Sequence, residues 1–273
     1  MAAELHQTHY ENFPIASILL PRDLREPVAA IYAFARSADD FADEGDLPAA
    51  ERLALLDEYG AELDAIEAGQ STTHPVFLRL RPAIAAHGLP LRLFRDLLDA
   101  FRQDVTKARY ADFGELTDYC RRSADPVGRL LLHLFRAATP ENLRASDRIC
   151  SALQLINHWQ DVAIDFRKPR LYLPQEDLAR FGVTEDQIGA GIADDNWRTL
   201  MKFEVDRARA MMLEGAPLGR ALPGRIGLEI RAIVASGLRI LEKIEAAGYD
   251  VLNRRPVLGA LDWPRILFRA MPP

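Results

Sequence analysis

A polar stripe runs down one face of an otherwise apolar segment, Gln154-Leu-Ile-Asn157-His158-Trp-Gln-Asp161-Val-Ala-Ile-Asp165. At helical spacing, Gln154, Asn157, His158, Asp161 and Asp165 fall within roughly 100° of one another. Leu153, Leu155, Ile156, Val162 and Ile164 surround them. Unpaired carboxylates are costly to bury, so such a face is expected to line a wet pocket or a ligand. A second stripe lies in Tyr32-Ala-Phe-Ala-Arg36-Ser-Ala-Asp39-Asp40-Phe-Ala-Asp43-Glu44. There Tyr32, Arg36, Asp39 and Asp43 share roughly 60° of the helix wheel, with Asp40 at its edge.

The rest of the chain supports an all-α fold. Helical periodicity is read over 29–42, 49–68, 142–164, 196–214, 226–247 and 258–270, with a helix pair flanking Gly88-Leu89-Pro90. The 113–138 stretch is also periodic, and Pro126 and Gly128 predict a kink or break within it. Lys168-Pro169 and Pro174 predict an extended segment after the long helix. No alternating β-branched run, repeat period or linker stands out. The expectation is a single domain over 1–273, a multi-layer bundle of about ten helices with a central cavity.

Composition narrows the function. Hydrophobic residues make up 49% of 273 positions, enough for a sizeable core. A net charge of -6 argues against a fold-wide nucleic-acid footprint. Cys120 and Cys150 form no metal or redox spacing, and a reducing compartment is expected. The polar N-terminus does not read as a signal peptide, and no apolar run reaches a membrane span. A cytoplasmic location follows, with peripheral contact at the inner membrane left open.

Two carboxylates one turn apart can share a hard cation, and Mg²⁺ is often held by carboxylates together with substrate phosphates. Two facing pairs could hold several Mg²⁺ ions against a diphosphate and assist its departure. Either pair alone, near an Arg, is usually a solvated helix face. The pairs occur together, however, and Arg167-Lys168-Pro-Arg170 follows the second. Arg36, Arg167, Lys168 and Arg170 are candidate diphosphate contacts, against ordinary surface charge. No P-loop or Rossmann glycine motif is present.

Y-A-F-A-R-S-A-D-D-F-A-D, L-T-D-Y-C-R-R-S-A-D-P-V-G and N-H-W-Q-D-V-A-I-D-F-R-K-P-R-L-Y-L-P resemble the squalene/phytoene synthase family. The resemblance runs from about His9 to the C-terminus. It implies a class I isoprenoid synthase bundle, of bacterial origin, that uses Mg²⁺ on prenyl diphosphates. H-Y-E-N-F-P-I-A-S-I-L-L-P and the two later segments look most like the HpnC-type, hydroxysqualene-forming branch of hopanoid biosynthesis. By the same resemblance, Asp39, Asp40 and Asp43 match the first metal motif, and Asn157, Asp161 and Asp165 the second. Arg36 and Arg170 match diphosphate-binding positions, and Tyr32, Tyr119, Gln154 and Tyr172 match cavity positions. Condensing relatives usually carry Arg at Gln160, an acidic residue at Ile164 and V-A-G-x-V-G at S-A-D-P-V-G. These departures point away from condensation of two prenyl diphosphates.

The implied reaction converts presqualene diphosphate and water to hydroxysqualene and diphosphate, with no NADPH. The rivals are a squalene, dehydrosqualene or phytoene synthase and, in a different class, a non-catalytic helical lipid-binding factor. The second would be expected to lose motif carboxylates, which this chain keeps. Secondary candidates remain open. His158 is either a water or phosphate contact or a satisfied core residue. Ser123 and Asp125 would place the capturing water, or Asp125 would serve as a local cap. Asp194-Asp195-Asn196 reads as a helix N-cap. Phe13 and Phe135 read as core packing or tunnel lining. The 226–270 stretch, flanked by Arg254, Arg255, Arg265 and Arg269, reads as terminal core helices or a membrane-facing surface. The sequence does not disclose an oligomeric state.

Overall fold

Helix starts are written into the sequence as oxygen-bearing side chains that accept an otherwise unpaired backbone N–H. Asp112 accepts from Glu115 N, Thr139 from Asn142 N, Thr184 from Gln187 N and Asp194 from Trp197 N. The computed structural model describes residues 20–43 and 45–271. Phe13, Glu44 and residues 9–19 of the N-terminal motif lie outside the described residues. After a 3-10 turn at Arg22–Leu24 come α1 (Arg25–Asp43), α2 (Ala49–Glu67), α3 (Pro75–His87), α4 (Leu91–Thr106), α5 (Phe113–Ser123) and α6 (Asp125–Leu134). Then follow α7 (Pro140–Arg167), α8 (Gln175–Phe181), α9 (Glu185–Gly189), α10 (Asp195–Gly215), α11 (Leu218–Ala221), α12 (Gly224–Ala246) and α13 (Trp263–Ala270). The fold is all-α, as expected. Among the described residues the sole β feature is a parallel bridge between Arg109 and Leu171.

The apolar faces build two clusters. One joins α1–α4 with Leu130 and Leu134 of α6, around Phe34, Phe77 and Phe94. The other gathers α5, α7, α10 and α12 around Trp159, Trp197 and Leu200. Between them α1 and α7 face each other across a cavity. Gly128 lets α6 close onto α7 at this seam, because an added Cβ would collide with Ser146 Oγ and Cys150 Sγ.

The expected break in the 113–138 stretch is present, at Ala124, since Pro126 suits the first turn of α6 where no N–H partner is needed. Two other expectations need correction. Asp125 makes no cap. It is buried and accepts a hydrogen bond from Ser151 Oγ of α7 at 2.8 Å. The 258–270 stretch is helical over Trp263–Ala270 only, after a 3-10 turn at Ala260–Asp262. Asp194 is the N-cap of α10, as its neighbours in sequence suggest. The predicted extended segment after α7 is present. Leu171 N donates to Ala108 O at 3.0 Å and Gln175 N to Tyr110 O at 2.9 Å. This pairing fixes where Arg170 and Tyr172 stand.

Candidate active site

The cavity between α1 and α7 measures about 380 Å³. Its walls are mainly apolar, with Ile31, Phe101, Leu132, Phe135 and Ile233 among them. The α1 stripe contributes Tyr32, Arg36 and Asp39, and the α7 stripe Gln154. Tyr119 and Ser123 line it from α5. Tyr172 stands behind Tyr119, with ring centres 5.8 Å apart, and is not on the wall.

The acidic residues of the two stripes lie close enough to feel one another, with Asp39 on the cavity wall. Arg36 donates to Asp39 at 3.1 Å and pairs with Asp40 at 2.5 Å. Arg170 crosses the seam from the segment after α7 to pair with Asp43 of α1. Arg255, from the segment before α13, forks onto Asp161, with its Nη2 at 3.0 Å from Oδ2. Asn157 also lies on this face, half-buried. Arg167 and Lys168 are exposed.

Electrostatics couples the two stripes. Burial, then repulsion from Asp43, pushes Asp39 up to about 7 despite Arg36. Burial and Asp161 push Asp165 up to about 7, against the pull of Arg170. Burial opposes the charge on Arg170, but Asp43, Tyr172 and Asp104 outweigh it and hold the guanidinium protonated.

Asp104 of α4 belongs to this set. It is buried, accepts from Tyr119 Oη at 2.9 Å and Tyr172 Oη at 3.4 Å, and burial raises it to about 7. Its one mark in the sequence is that an acid continues the apolar row Leu93, Leu97 and Phe101. Arg255 carries no local mark, because Asp161 is 94 residues away. His158 is stacked on Tyr172 with ring centres 3.6 Å apart. Burial and Arg170 lower its pKa to about 3, so it is neutral, and its Nε2 has no partner. That differs from a satisfied core histidine. Ser123 Oγ is likewise buried and without a partner. Gln160 donates to Pro256 O at 2.6 Å and lies in the core.

Carboxylate oxygens with one amide form a hard donor set of the kind Mg²⁺ takes. The raised pKa values of Asp39 and Asp165 record burial first and repulsion from a neighbouring carboxylate second, and a cation would offset both. Among the described residues no three His, Cys, Asp or Glu side chains converge on a common metal position. Arginines hold the carboxylates instead. The residues therefore fit a divalent cation in chemistry, with arginine in the place a cation would take.

Comparison with known proteins agrees with this arrangement. Residues 6–262 match the squalene/phytoene synthase family. A hydroxysqualene synthase from Rhodopseudomonas palustris is 37% identical, covering 99% of this chain and 92% of that protein. A phytoene synthase from Arthrospira platensis is 31% identical, covering 93% and 86%. The crystal structure of squalene synthase HpnC from Alicyclobacillus acidocaldarius superposes with a TM-score of 0.82 at 42% identity, covering 88% of this chain and 90% of that one. With aspartate stripes on α1 and α7 coupled electrostatically beside an apolar cavity, and with these relatives over nearly its whole length, the chain belongs to the squalene/phytoene synthase family.

Proposed function

We propose that this protein converts presqualene diphosphate and water to hydroxysqualene and diphosphate, as one catalytic unit over 1–273. The observation that carries this reading is the cavity itself: an apolar chamber with Arg36 and Asp39 on its wall, and Asp39 coupled electrostatically to Asp43 and Arg170, as Asp165 is to Asp161, Asp43 and Arg170. The likeness to hydroxysqualene synthases selects this reaction over condensation. Phytoene synthases are similar at lower identity.

When bound to Asp39, Asp40, Asp43, Asn157, Asp161 and Asp165, Mg²⁺ supplies charge neutralisation for the leaving diphosphate. Arg36 and Arg170 exchange their carboxylate partners for diphosphate oxygens, which suits their planar donor pairs. The carbon–oxygen bond breaks, both electrons leave with diphosphate, and a cyclopropylcarbinyl cation remains in the cavity. Ile31, Leu132 and Ile233 keep bulk water from that cation while it rearranges. The faces of Tyr32 and Tyr119 offer it electron density. Gln154 and the unpartnered Ser123 hydroxyl offer the capturing water a hydrogen bond. Water forms the new carbon–oxygen bond and gives up a proton to the diphosphate. Tyr172 acts from behind the wall, by holding Asp104 and His158. No step calls for NADPH.

Substrate and product are lipids, so the reading includes a cytoplasmic enzyme working at the inner membrane. Among the described residues no helix is long and apolar enough to cross a membrane. Asp39→Ala and Asp161→Ala, assayed with presqualene diphosphate and Mg²⁺, are each expected to lose at least about 100-fold in turnover, the scale of one lost transition-state contact. Turnover near the parent rate in both variants would remove the carboxylates from the chemistry.

A further inference from the structure

The outer face of α13 is apolar where a terminal helix would ordinarily be polar. Leu261 is 94% exposed, Phe268 74%, Met271 55% and Leu267 54%. At helical spacing Pro264, Leu267, Phe268 and Met271 fall in one stripe of roughly 100°, with nothing charged inside it, and Leu261 of the preceding 3-10 turn is exposed beside it. Ile266 and Ala270 on the opposite face are buried against the bundle. Trp263, partly exposed, stands at one edge of the stripe, and Arg265 and Arg269 stand at the other.

The surroundings are basic. Residues 218–271 hold nine Lys and Arg against five Asp and Glu, in a chain whose net charge is -6. Under α13, Arg239, Arg265 and Arg269 converge on Glu242 alone, at 2.9, 3.7 and 2.5 Å. Asp262 takes both Arg239 and Lys243. The rim of the apolar stripe is thus cationic even after its ion pairs are formed. Arg220, Arg225 and Arg254 add exposed charge along the same segment.

The face is also next to the cavity. Arg231 Nε donates to Ala270 O at 2.6 Å, while Arg239 reaches Asp262 at 2.7 Å, so α13 runs antiparallel to α12. Its C-terminal end therefore lies beside the start of α12, where Ile226, Ile230 and Ile233 form cavity wall.

We propose that α13 is a membrane-docking helix: its apolar stripe enters the interface of an anionic phospholipid bilayer while the arginine rim meets the headgroups, bringing the α12 wall of the cavity to the lipid surface. An amphipathic helix lying in the interface plane binds by buried apolar area together with attraction to anionic lipid. The choice of a bilayer as partner rests on reading the chain as an enzyme of lipid substrates, but the binding test itself needs no substrate, so the two can fail separately.

The test is co-sedimentation of the full chain with phosphatidylcholine vesicles, with and without added phosphatidylglycerol. Binding is expected to the anionic vesicles, to weaken as salt is raised, and to be poor on phosphatidylcholine alone. Leu267→Glu and Phe268→Glu together should lower the vesicle partition coefficient more than about tenfold, since each removes an apolar contact worth a large factor. Leu261→Glu, at the most exposed position, serves as a second variant with no folding demand. Thermal unfolding and the far-UV circular dichroism of the variants should match the parent. Three outcomes overturn the proposal: no parent binding to anionic vesicles, binding unchanged in the variants, or a parent dimer in sedimentation velocity that Phe268→Glu dissociates. The last would give the face to a second copy of the chain.

Discussion

Ser123 isolates one residue's contribution from the fold that carries it. Its hydroxyl is buried at the cavity wall and makes no hydrogen bond to the protein. Removing a group without a partner costs little, so Ser123→Ala should leave stability within about 0.5 kcal/mol of the parent. If the hydroxyl guides the capturing water, the same change should lower the share of hydroxysqualene among the products from presqualene diphosphate, with hydrocarbon or rearranged alcohol in its place. An unchanged product ratio by mass analysis would take Ser123 out of water placement. At this scale the sequence was partly legible. The carboxylates and Arg36 announce themselves by helical spacing, because partners three and four residues apart meet on one face. Asp104 and Arg255 do not, because their partners lie far away in the chain: Tyr119 is 15 residues from Asp104, Tyr172 is 68, and Asp161 is 94 from Arg255.

At the scale of elements, the periodic segments folded as helices and the junctions were harder to read. Pro126 and Gly128 both signal interruption, yet only Pro126 sits at a helix start, while Gly128 serves close packing of α6 on α7. Which of two breakers acts depends on what packs opposite, and that is tertiary information. The junction before α13 shows the same dependence. Asp262 is buried and accepts from Gly259 N at 2.8 Å, Arg239 at 2.7 Å and Lys243 at 2.6 Å. Burial alone would raise its pKa, but the Gly259 N–H, Lys243 and Arg239 outweigh it and hold the carboxyl well below the usual carboxylate range. A depressed carboxylate contributes stability above its unfolded pKa of about 4 and loses it as pH falls toward the folded value. Asp262→Asn should therefore cost about 1 kcal/mol in denaturant unfolding at pH 7, because solvent screens its partly exposed partners, and the gap to the parent should narrow below about pH 4. A gap of constant size across that range would mean that Asp262 acts through packing and not charge.

For the whole molecule, the all-α architecture follows from local periodicity, but the cavity does not. It exists because two apolar clusters meet with α1 and α7 held apart, and Arg170 spans the opening to Asp43. Helix spacing shows that each stripe is polar on one side. The pairing of residues 108–111 with 171–176, which no local pattern encodes, fixes the segment from which Arg170 reaches Asp43 of α1. With the stripes so coupled, the chemistry is bounded: carboxylates and arginines for a diphosphate, apolar walls for a cation. The most direct measurement is mass analysis of the product formed from presqualene diphosphate and Mg²⁺, without NADPH, in water enriched in heavy oxygen. The account predicts hydroxysqualene carrying one heavy oxygen from solvent. Squalene formed only on adding NADPH, or no turnover of presqualene diphosphate alongside condensation of farnesyl diphosphate, would contradict it.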